Sequence, residues 1–522
     1  MTILGWALFL WGQPTLAGPY EDAASAYTRR SYTEAFQLWR ALAEEGNAAA
    51  QYNLGALYEN GQGVPRNSAE AEKWYRLSAE RGFADAQFTL GFRYDIGKGV
   101  SQNSAEALKW YSLAADQGFT LAQYKLGVIY EQASGVRRDL AEAAKWYRLA
   151  AAKGLAAAQT NLGLMHEMGR GVLLDFAEAA RWYQLAADQG DALAQGHLAM
   201  LYDKGLGVAQ DFARALKWYR LAADQGDAAA QNGLGVLYDQ GRGVAQDYAE
   251  AVNWYRLSAD QGLAAAQANL GAAYDLGHGV AQDAAEAAKW LGLAASQAYP
   301  PAQHSLGAMA AKGCGSPPDH AAAAKWYRLA AVQGHAPAQF DLGLSYEKGL
   351  GVPQDYAQAA KWYRLAAEQG HVAGQVHLGV SYDLGQGVTQ DYAEAIKWYR
   401  TAIAQGDAAA QNNLGSMYEY GLGVPQDYVE AVKWYQLAAD QGYAKAQYNL
   451  GLMHANGRGV PQDFMIAHQW LDLAVRAGSA LAPKNLDDAT DNRDQIAARL
   501  TPEQLGEAQR RVQAWLMSHP RP

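Results

Sequence analysis

Apolar residues in this chain fall at helical spacing, and the same arrangement returns along its length. In one segment Ala50, Leu54, Gly55 and Tyr58 lie at i, i+4, i+5 and i+8, which is one face of an α-helix. Because glycine has no side chain, Gly55 lets a second helix pack close to the backbone of the first. We therefore predict a first helix with a tightly packed face.

A second apolar stripe follows, in which Ala71, Trp74, Tyr75 and Ala79 lie at i, i+3, i+4 and i+8. The tryptophan of this stripe recurs every 36 residues, at Trp74, Trp110, Trp146, Trp182, Trp218, Trp254, Trp290, Trp326, Trp362, Trp398, Trp434 and Trp470. A strict period of this length is typical of repeat proteins, whose units bury their apolar faces on one another. We interpret the tryptophan as a core residue between helices.

The second helix of each unit has a recognisable start. Asp247 and Glu250 stand three residues apart ahead of the apolar stripe, the spacing of a capping box. We expect the aspartate to accept a free backbone N–H and the glutamate to bond back to the cap. Arg214, Ala322 and Ile466 interrupt this pattern, so weaker helix starts are predicted there.

Glycines separate the helices. A Gly-x-Gly-Val loop such as residues 61–64 follows the first helix, and a further glycine such as Gly82 closes the unit. These loops lack the Lys-Ser/Thr pair of a phosphate-binding loop, so we interpret them as left-handed helix ends and turns. Each unit is then a helix, a loop, a capped helix and a stop. The predicted fold is all-α, an α-solenoid superhelix of stacked antiparallel helix pairs.

The unit resembles the Sel-1-like repeat, a relative of the tetratricopeptide repeat. The resemblance rests on a motif that begins with Ala228-Ala229-Ala230-Gln231, continues through Leu234, Gly235, Tyr238 and Gly241 to Val244, and ends with Ala251 to Gly262. It covers residues 47–478 as twelve units, and residues 18–46 resemble a tetratricopeptide-type opening helix pair. Residues 479–522 leave the pattern. There Thr501 and Gln504 form a capping box with Pro502 at the first helical position, which predicts capping helices for the end of the array.

Composition excludes several classes of protein. The net charge is −10 over 522 residues and no basic face emerges, so a nucleic-acid partner is not expected. Cys314 is the single cysteine, so no intramolecular disulfide can form. Some exported Sel-1-like proteins carry a cysteine pair in each repeat, and this chain departs from the subgroup to which penicillin-binding or β-lactamase activity is attributed.

The amino terminus suggests export. An apolar run from Ile3 to Trp11 is too short to span a bilayer, and Thr15-Leu16-Ala17 has small residues suited to signal peptidase, although no Lys or Arg precedes the run. Residues 1–17 are therefore predicted to be a signal peptide of a periplasmic or secreted protein. The alternatives are an uncleaved membrane anchor, which would be the sole membrane contact, and a cytoplasmic protein with an apolar capping helix here.

We find no constellation that predicts catalysis or metal binding. His335 and His371 occupy equivalent positions one repeat apart, near His304, His320 and His377. Neighbouring helices are roughly 8–10 Å apart, too far for two such imidazoles to share a metal at about 2 Å. We predict no catalytic residue, no cofactor and no metal site.

Function is then expected on a surface. The position of Tyr52 changes from unit to unit while the framework around it repeats, and by analogy with tetratricopeptide arrays the first helices line the concave face. The candidate partner-binding residues are Tyr52, Phe88, Tyr124 and Phe340 with the acidic Glu59, Asp95 and Glu131. An aromatic and acidic strip suits an extended peptide of basic character. The alternative is that these side chains complete the packing between repeats.

The favoured function is a non-enzymatic scaffold or adaptor of the bacterial cell envelope, which binds a protein or peptide partner. The envelope role is what the resemblance to the Sel-1-like family implies. The alternative is an envelope hydrolase of the β-lactamase or penicillin-binding type, which a clustered Ser-x-x-Lys motif or a glutamate pair would favour.

Overall fold

The computed structural model describes residues 18–315, 317–478 and 483–519. Every regular element in these residues is a helix, and successive helices pair within repeats of 36 residues, so the predicted all-α solenoid fold is confirmed. The predicted signal peptide, residues 1–17, lies outside the described residues. No described helix combines the length and the apolar character that crossing a membrane requires.

The chain divides into two compact units, residues 18–261 and residues 262–519 of the described part. The first unit holds α1 (Pro19–Thr28), α2 (Tyr32–Glu44), α3 (Ala48–Asn60), α4 (Ser68–Glu80), α5 (Ala84–Ile96), α6 (Ser104–Asp116), α7 (Thr120–Gln132), α8 (Leu140–Ala152), α9 (Ala156–Met168), α10 (Phe176–Ala187), α11 (Ala192–Lys204), α12 (Phe212–Asp224), α13 (Ala228–Gln240) and α14 (Tyr248–Asp260). From α3 onwards the odd-numbered helices are the first helices of repeats and the even-numbered ones are the second.

The second unit continues the alternation and then ends it. It holds α15 (Ala264–Leu276), α16 (Ala284–Ser296), α17 (Pro300–Lys312), α18 (His320–Ala331), α19 (Ala336–Lys348), α20 (Tyr356–Glu368), α21 (Val372–Leu384), α22 (Tyr392–Ile403), α23 (Ala408–Tyr420), α24 (Tyr428–Asp440), α25 (Ala444–Asn456), α26 (Phe464–Arg476), α27 (Pro483–Ala497) and α28 (Pro502–Ser518). The predicted capping box of α28 is confirmed, because the Thr501 and Gln504 side chains each bond the other's backbone N–H.

The glycine loops adopt the predicted left-handed turn. Gly61 ends α3 at φ 69° and Gly63 follows at φ 71°. Ala133 takes the place of the first glycine in one repeat and still adopts φ 60°, so the loop geometry survives the departure. Gly82 has φ 86° with open space where a side chain would point, so the backbone conformation is what favours glycine there.

The glycine of the first helix faces a tyrosine, as the close-packing prediction requires. A methyl group added to Gly55 would lie 2.9 Å from a ring carbon of Tyr75, whose side chain is 3% exposed. Equivalent tyrosines are fully buried in several repeats, including Tyr111, Tyr147 and Tyr183. The core residue of most units is therefore this tyrosine, and in two units a buried leucine, Leu291 or Leu471, takes its place.

The prediction that the tryptophan is a core residue between helices holds in part, because the repeat tryptophans pack against the buried clusters but few of them are buried themselves. Trp110, Trp218 and Trp470 are buried, but the other repeat tryptophans are partly exposed. Trp146 shows their position: it packs on the junction between α6 and α7, the helix before its own repeat and the first helix of its own. The indole covers this junction, and part of its surface stays exposed to solvent.

The capping prediction was half right. Asp247 accepts the backbone N–H of Glu250 at 3.0 Å, but the glutamate accepts the indole N–H of Trp254 at 2.9 Å and does not complete a box. The weaker start predicted at Arg214 is also wrong in its reason, because Asp211 still accepts the Arg214 backbone N–H at 2.9 Å. The aspartate alone makes the cap.

Candidate functional site

We call the residues at the register of Tyr52, one on each first helix, the first-helix strip. Its candidate aromatics Tyr52, Phe88, Tyr124 and Phe340 are all partly buried. The Tyr52 ring lies 5.4 Å from the core ring of Tyr75, and Phe88 and Tyr124 take the same place on their own core tyrosines. Tyr52 and Phe88 also contact a ring at the start of the next first helix, Phe83 at 5.5 Å and Phe119 at 5.1 Å, so only part of each strip aromatic stays accessible.

Two of the three candidate carboxylates form ion pairs with lysine or arginine side chains of this chain. Glu59 accepts the Tyr75 hydroxyl at 2.9 Å and pairs with Arg93 at 3.1 Å and Lys98 at 2.7 Å. Burial raises the pKa of Glu59, but the bonds from Lys98 and Tyr75 and the charge of Arg93 outweigh it, so the pKa lies below its usual value. The other paired carboxylate is Asp95.

Asp95 accepts the Tyr111 hydroxyl at 3.3 Å and pairs with Lys125 at 3.5 Å. Glu131 differs, since it accepts the Tyr147 hydroxyl at 2.7 Å and no lysine or arginine among the described residues pairs with it. The structure thus places all three carboxylates beside the strip, but it leaves Glu131 as the one whose charge this chain does not neutralise.

Strip residues also bond to the following repeat. The His304 imidazole and the Asp341 carboxylate are 2.8 Å apart, and the Asn449 amide donates to Asn412 at 2.9 Å. In both cases the partner lies 37 positions along the chain, next to the strip position of the following first helix. The residue at the strip position therefore varies together with the residue that follows the strip position in the next repeat. This supports the alternative that part of each strip side chain serves the packing between repeats.

Phe340 lies in the histidine-rich part of the second unit. Its ring is 5.1 Å from His371 and 5.2 Å from His377, and His377 Nδ1 lies 3.3 Å from Glu347. Burial lowers the pKa of His371 below its ordinary value. In the described residues no group of three or more metal-binding side chains is placed to hold an ion.

The sequence analysis missed a set of buried glutamines. Gln159 is 3% exposed, donates to the Ala151 carbonyl of the preceding second helix at 3.1 Å, and accepts from Gln189, which lies just beyond the end of its own second helix, at 2.8 Å. One amide thus joins three helices. The signal was present, since a glutamine recurs at this register in every repeat, and a polar residue repeated on a buried face requires a partner.

Comparisons with known proteins agree with this framework. A family model described as the Sel1 repeat matches residues 20–47, 48–83, 84–119, 120–155, 156–191, 192–227, 228–263, 264–299, 300–335, 336–371, 372–407, 408–443 and 444–479. The chain belongs to the Sel1 repeat family. The first match covers most of the segment predicted as the opening helix pair, so the family pattern extends to it.

Two solved Sel1 repeat structures illustrate the relationship. The crystal structure of c5321, a protective antigen present in uropathogenic Escherichia coli strains, has an SLR fold and is 37% identical over 85% of this chain and 94% of its own, with a TM-score of 0.66. A Sel1 repeat protein from Oxalobacter formigenes is 36% identical over 58% of this chain and 88% of its own, with a TM-score of 0.46. A comparison with curated proteins finds no match.

Proposed function

We propose that this Sel1 repeat protein is a non-enzymatic scaffold of the bacterial cell envelope that binds a protein or peptide partner along the first-helix strip. Sel1 repeat proteins are generally protein-interaction scaffolds and typically have no enzymatic activity. The observation that carries the proposal is the strip itself, which varies along a repeating framework and is partly exposed at its four candidate aromatics, whereas Thr160, Ala268, Val376 and Asn412 at the same register are buried.

The aromatic track of the first unit suggests the chemistry of the partner. Tyr52, Phe88 and Tyr124 stand on successive first helices, and rigid aromatic side chains are frequent anchors of interfaces. Beside them Glu131 lines an open depression with Gln132, Arg138 and Asn161, and its carboxylate forms no ion pair with a described residue. These features favour an extended segment that combines apolar side chains with a lysine or arginine directed at Glu131.

Partner capture tests the proposal. Tyr52, Phe88 and Tyr124 are changed together to Asn, a residue that the strip itself carries at Asn412. We expect crosslinked capture of the native partner to fall about tenfold, the scale of losing one or two anchors, with helicity by circular dichroism retained. The control changes Leu113, Leu149 and Leu185, exposed leucines on the second helices, to Gln.

Capture that depends on the leucines and not on the strip would contradict the proposed site. A loss of helicity in the strip variant would show that the aromatics serve packing alone. The change Glu131→Gln adds a sharper test, because it should weaken capture of a basic partner without disturbing the ion pairs of Glu59 and Asp95.

The envelope location has its own test. The apolar run of residues 3–11 and the small residues before Gly18 support export, so mature protein from the native host should begin near Gly18. Mass spectrometry of the amino-terminal peptide measures this directly. Recovery of intact residues 1–17 from soluble cytoplasmic protein would contradict export, whereas their recovery from membranes would indicate the uncleaved anchor.

A further inference from the structure

The loop of one repeat carries apolar residues where the loops of the following repeats do not. Between α9 and α10 the chain carries Leu173-Leu174, where the following repeats carry Ala209-Gln210 and Ala245-Gln246. Leu173 is 88% exposed, the highest value among the large hydrophobic side chains of the described residues, and Leu174 is 59% exposed. An exposed pair of leucines gains nothing in folding, because neither side chain leaves water.

The departure also removes a bond that stabilises the loop elsewhere. Gln210 donates to the Asp203 carbonyl at 2.7 Å, and Gln246 donates to the Asp239 carbonyl at 2.7 Å. The same bond recurs in several repeats of the second unit, for example from Gln354. Leu174 has no donor for the equivalent carbonyl of Glu167. The loop has exchanged a stabilising bond for exposed apolar surface.

Leu174 lies beside the glycine that ends α9, next to another exposed apolar side chain. The Leu174 Cβ would lie 3.2 Å from a methyl group placed on Gly169, so the loop folds back against the residue that ends α9. Met168 immediately precedes that glycine and is 46% exposed. We call Met168, Leu173 and Leu174 the leucine knob.

Arginines flank the leucine knob. Arg170 lies within the same loop, and Arg137 and Arg138 lie in the preceding loop, all of them exposed. The two loops are neighbours, because Gly171 packs directly on the backbone carbonyl of Leu140. No carboxylate among the described residues forms an ion pair with these three guanidinium groups.

The carboxylates nearest in the chain have other partners. Asp139 and Asp175 accept the backbone N–H groups that open α8 and α10. Glu167 accepts the Tyr183 hydroxyl at 2.6 Å and lies 2.9 Å from His197, on the first-helix side. The three arginines form no ion pair with a described residue, and Arg138 Nε donates only to the Glu131 carbonyl, at 3.0 Å. In a chain of net charge −10, an edge with three such arginines is an exception that requires a reason.

We propose that the leucine knob and its flanking arginines form a docking point for an anionic lipid surface. Exposed leucines insert at the boundary between headgroups and acyl chains, while guanidinium groups bind phosphates in the plane above. The charge of the patch favours a lipid over the apolar pocket of a protein, which has no need of three arginines around its ligand. Docking of this kind is peripheral and needs no membrane-spanning helix.

Vesicle binding tests the inference on the purified full-length chain. The probes are vesicles of phosphatidylglycerol and phosphatidylcholine in equal parts, compared with vesicles of phosphatidylcholine alone. We expect binding to the first and at least about tenfold weaker binding to the second, with the difference falling as salt is raised. The double change Leu173→Ala and Leu174→Gln gives this loop the residues of the next repeat, and we expect it to reduce binding about tenfold or more.

That change separates function from folding. Because Gln at position 174 restores the bond to the Glu167 carbonyl, the variant should unfold at the same temperature or higher while it loses the lipid. Arg137→Ser with Arg138→Gln gives the preceding loop the residues of Ser101-Gln102, and should weaken binding about fivefold for each charge removed. The matched control is Leu384→Gln, an exposed leucine elsewhere that should have no effect.

Three results would overturn the inference. Absence of wild-type binding to either kind of vesicle would assign the knob to a protein partner. A loss of binding in Leu384→Gln as large as that in the knob variant would reveal general adhesion. Equal binding to both kinds of vesicle at all salt concentrations would show that the arginines have no part in it.

Discussion

Two adjacent repeats, residues 156–191 and 192–227, differ by one methyl group at the position where the two helices meet. The first has Gly163 beneath Tyr183, and the second has Ala199 beneath Tyr219. In the first repeat the Tyr183 hydroxyl donates to Glu167 at 2.6 Å, and the ring stacks on His197 at 5.2 Å. A methyl group at Gly163 would lie 2.6 Å from this ring.

In the second repeat the tyrosine ring packs against a different neighbour. With Ala199 fully buried, the Tyr219 ring lies over Gly233, where a methyl group would come within 2.7 Å of the ring. Gly233 occupies the position equivalent to His197. The carboxylate of this repeat, Asp203, then has one buried oxygen without a hydrogen-bond donor, and its nearest cation is Arg242 at 3.9 Å. A methyl group on one helix is thus accommodated by a missing side chain on the next first helix.

This comparison shows that the repeats are coupled units and not interchangeable modules. Glycine at the Leu-Gly position, tyrosine on the second helix and the residue before the next Leu-Gly pair form one packing set. At Ala199 a departure at one member is accompanied by a departure at another, Gly233. Repeat proteins transmit such effects to the nearest neighbour only, so the set is the natural unit in which to plan substitutions.

The largest effect is expected from removing the ring of the first repeat. Tyr183→Ala should reduce the local free energy of unfolding by about 3–5 kcal/mol, because it deletes a fully buried aromatic side chain. Trp182→Ala, in the adjacent and partly exposed register, should cost clearly less. Denaturant unfolding with regional hydrogen exchange measures both. An equal or greater loss in the Trp182 variant would restore the tryptophan as the core residue.

A smaller effect is expected when the packing of the first repeat is changed to that of the second. In Gly163→Ala the new methyl group would lie 2.6 Å from the Tyr183 ring, and we expect a net loss of about 1–2 kcal/mol, the range for overpacked cores. Adding His197→Gly opens the space that Gly233 provides in the next repeat. A double-mutant cycle should therefore show favourable coupling of about 1 kcal/mol. Additive losses would show that the two positions are independent.

The helices and their ends could be predicted from the sequence, but the contacts of individual side chains could not. The period and the glycines predicted the helices and their left-handed ends, because those features depend on local backbone preferences. The period did not show which neighbours a side chain meets. Gln159 bonds to a helix of the previous repeat, and the tyrosine is more buried than the tryptophan beside it although both recur at a spacing of 36 residues.

The candidate site was predictable to a similar extent. The variable register and its neighbouring carboxylates were identified from the sequence, and the structure brings them together on the first helices. The pairing of strip residues with the next repeat was not identified from the sequence. The contacts of His304 with Asp341 and of Asn412 with Asn449 join positions that the pattern of a single repeat treats as unrelated. Departures from the repeat carry this information once they are read in pairs.

The smallest effect, and the finest test of the comparison, is the response of the two carboxylates to pH. Burial raises the pKa of Glu167, but the hydrogen bonds from His197 and Tyr183 outweigh it and hold the pKa below its ordinary value. Burial raises the pKa of Asp203, and the charges of Arg242 and Lys204 only partly offset it. The stability contributed by ionised Glu167 is therefore present above its unfolded pKa of about 4.3 and is lost as the pH falls through the folded value.

For Asp203 the sign reverses, because the folded chain holds its proton more tightly than the unfolded chain does, so stability is lost as the pH rises from about 3.9 through the folded pKa. Glu167→Gln should thus destabilise its repeat at pH 7 and have a diminishing effect in acid. Asp203→Asn should stabilise its repeat at pH 7 and lose that advantage in acid. Regional hydrogen exchange at pH 7 and thermal unfolding from pH 7 to pH 3 measure the two trends. Parallel trends would mean that Tyr219 reaches its carboxylate in solution as Tyr183 does, and that the methyl group of Ala199 does not separate the two repeats.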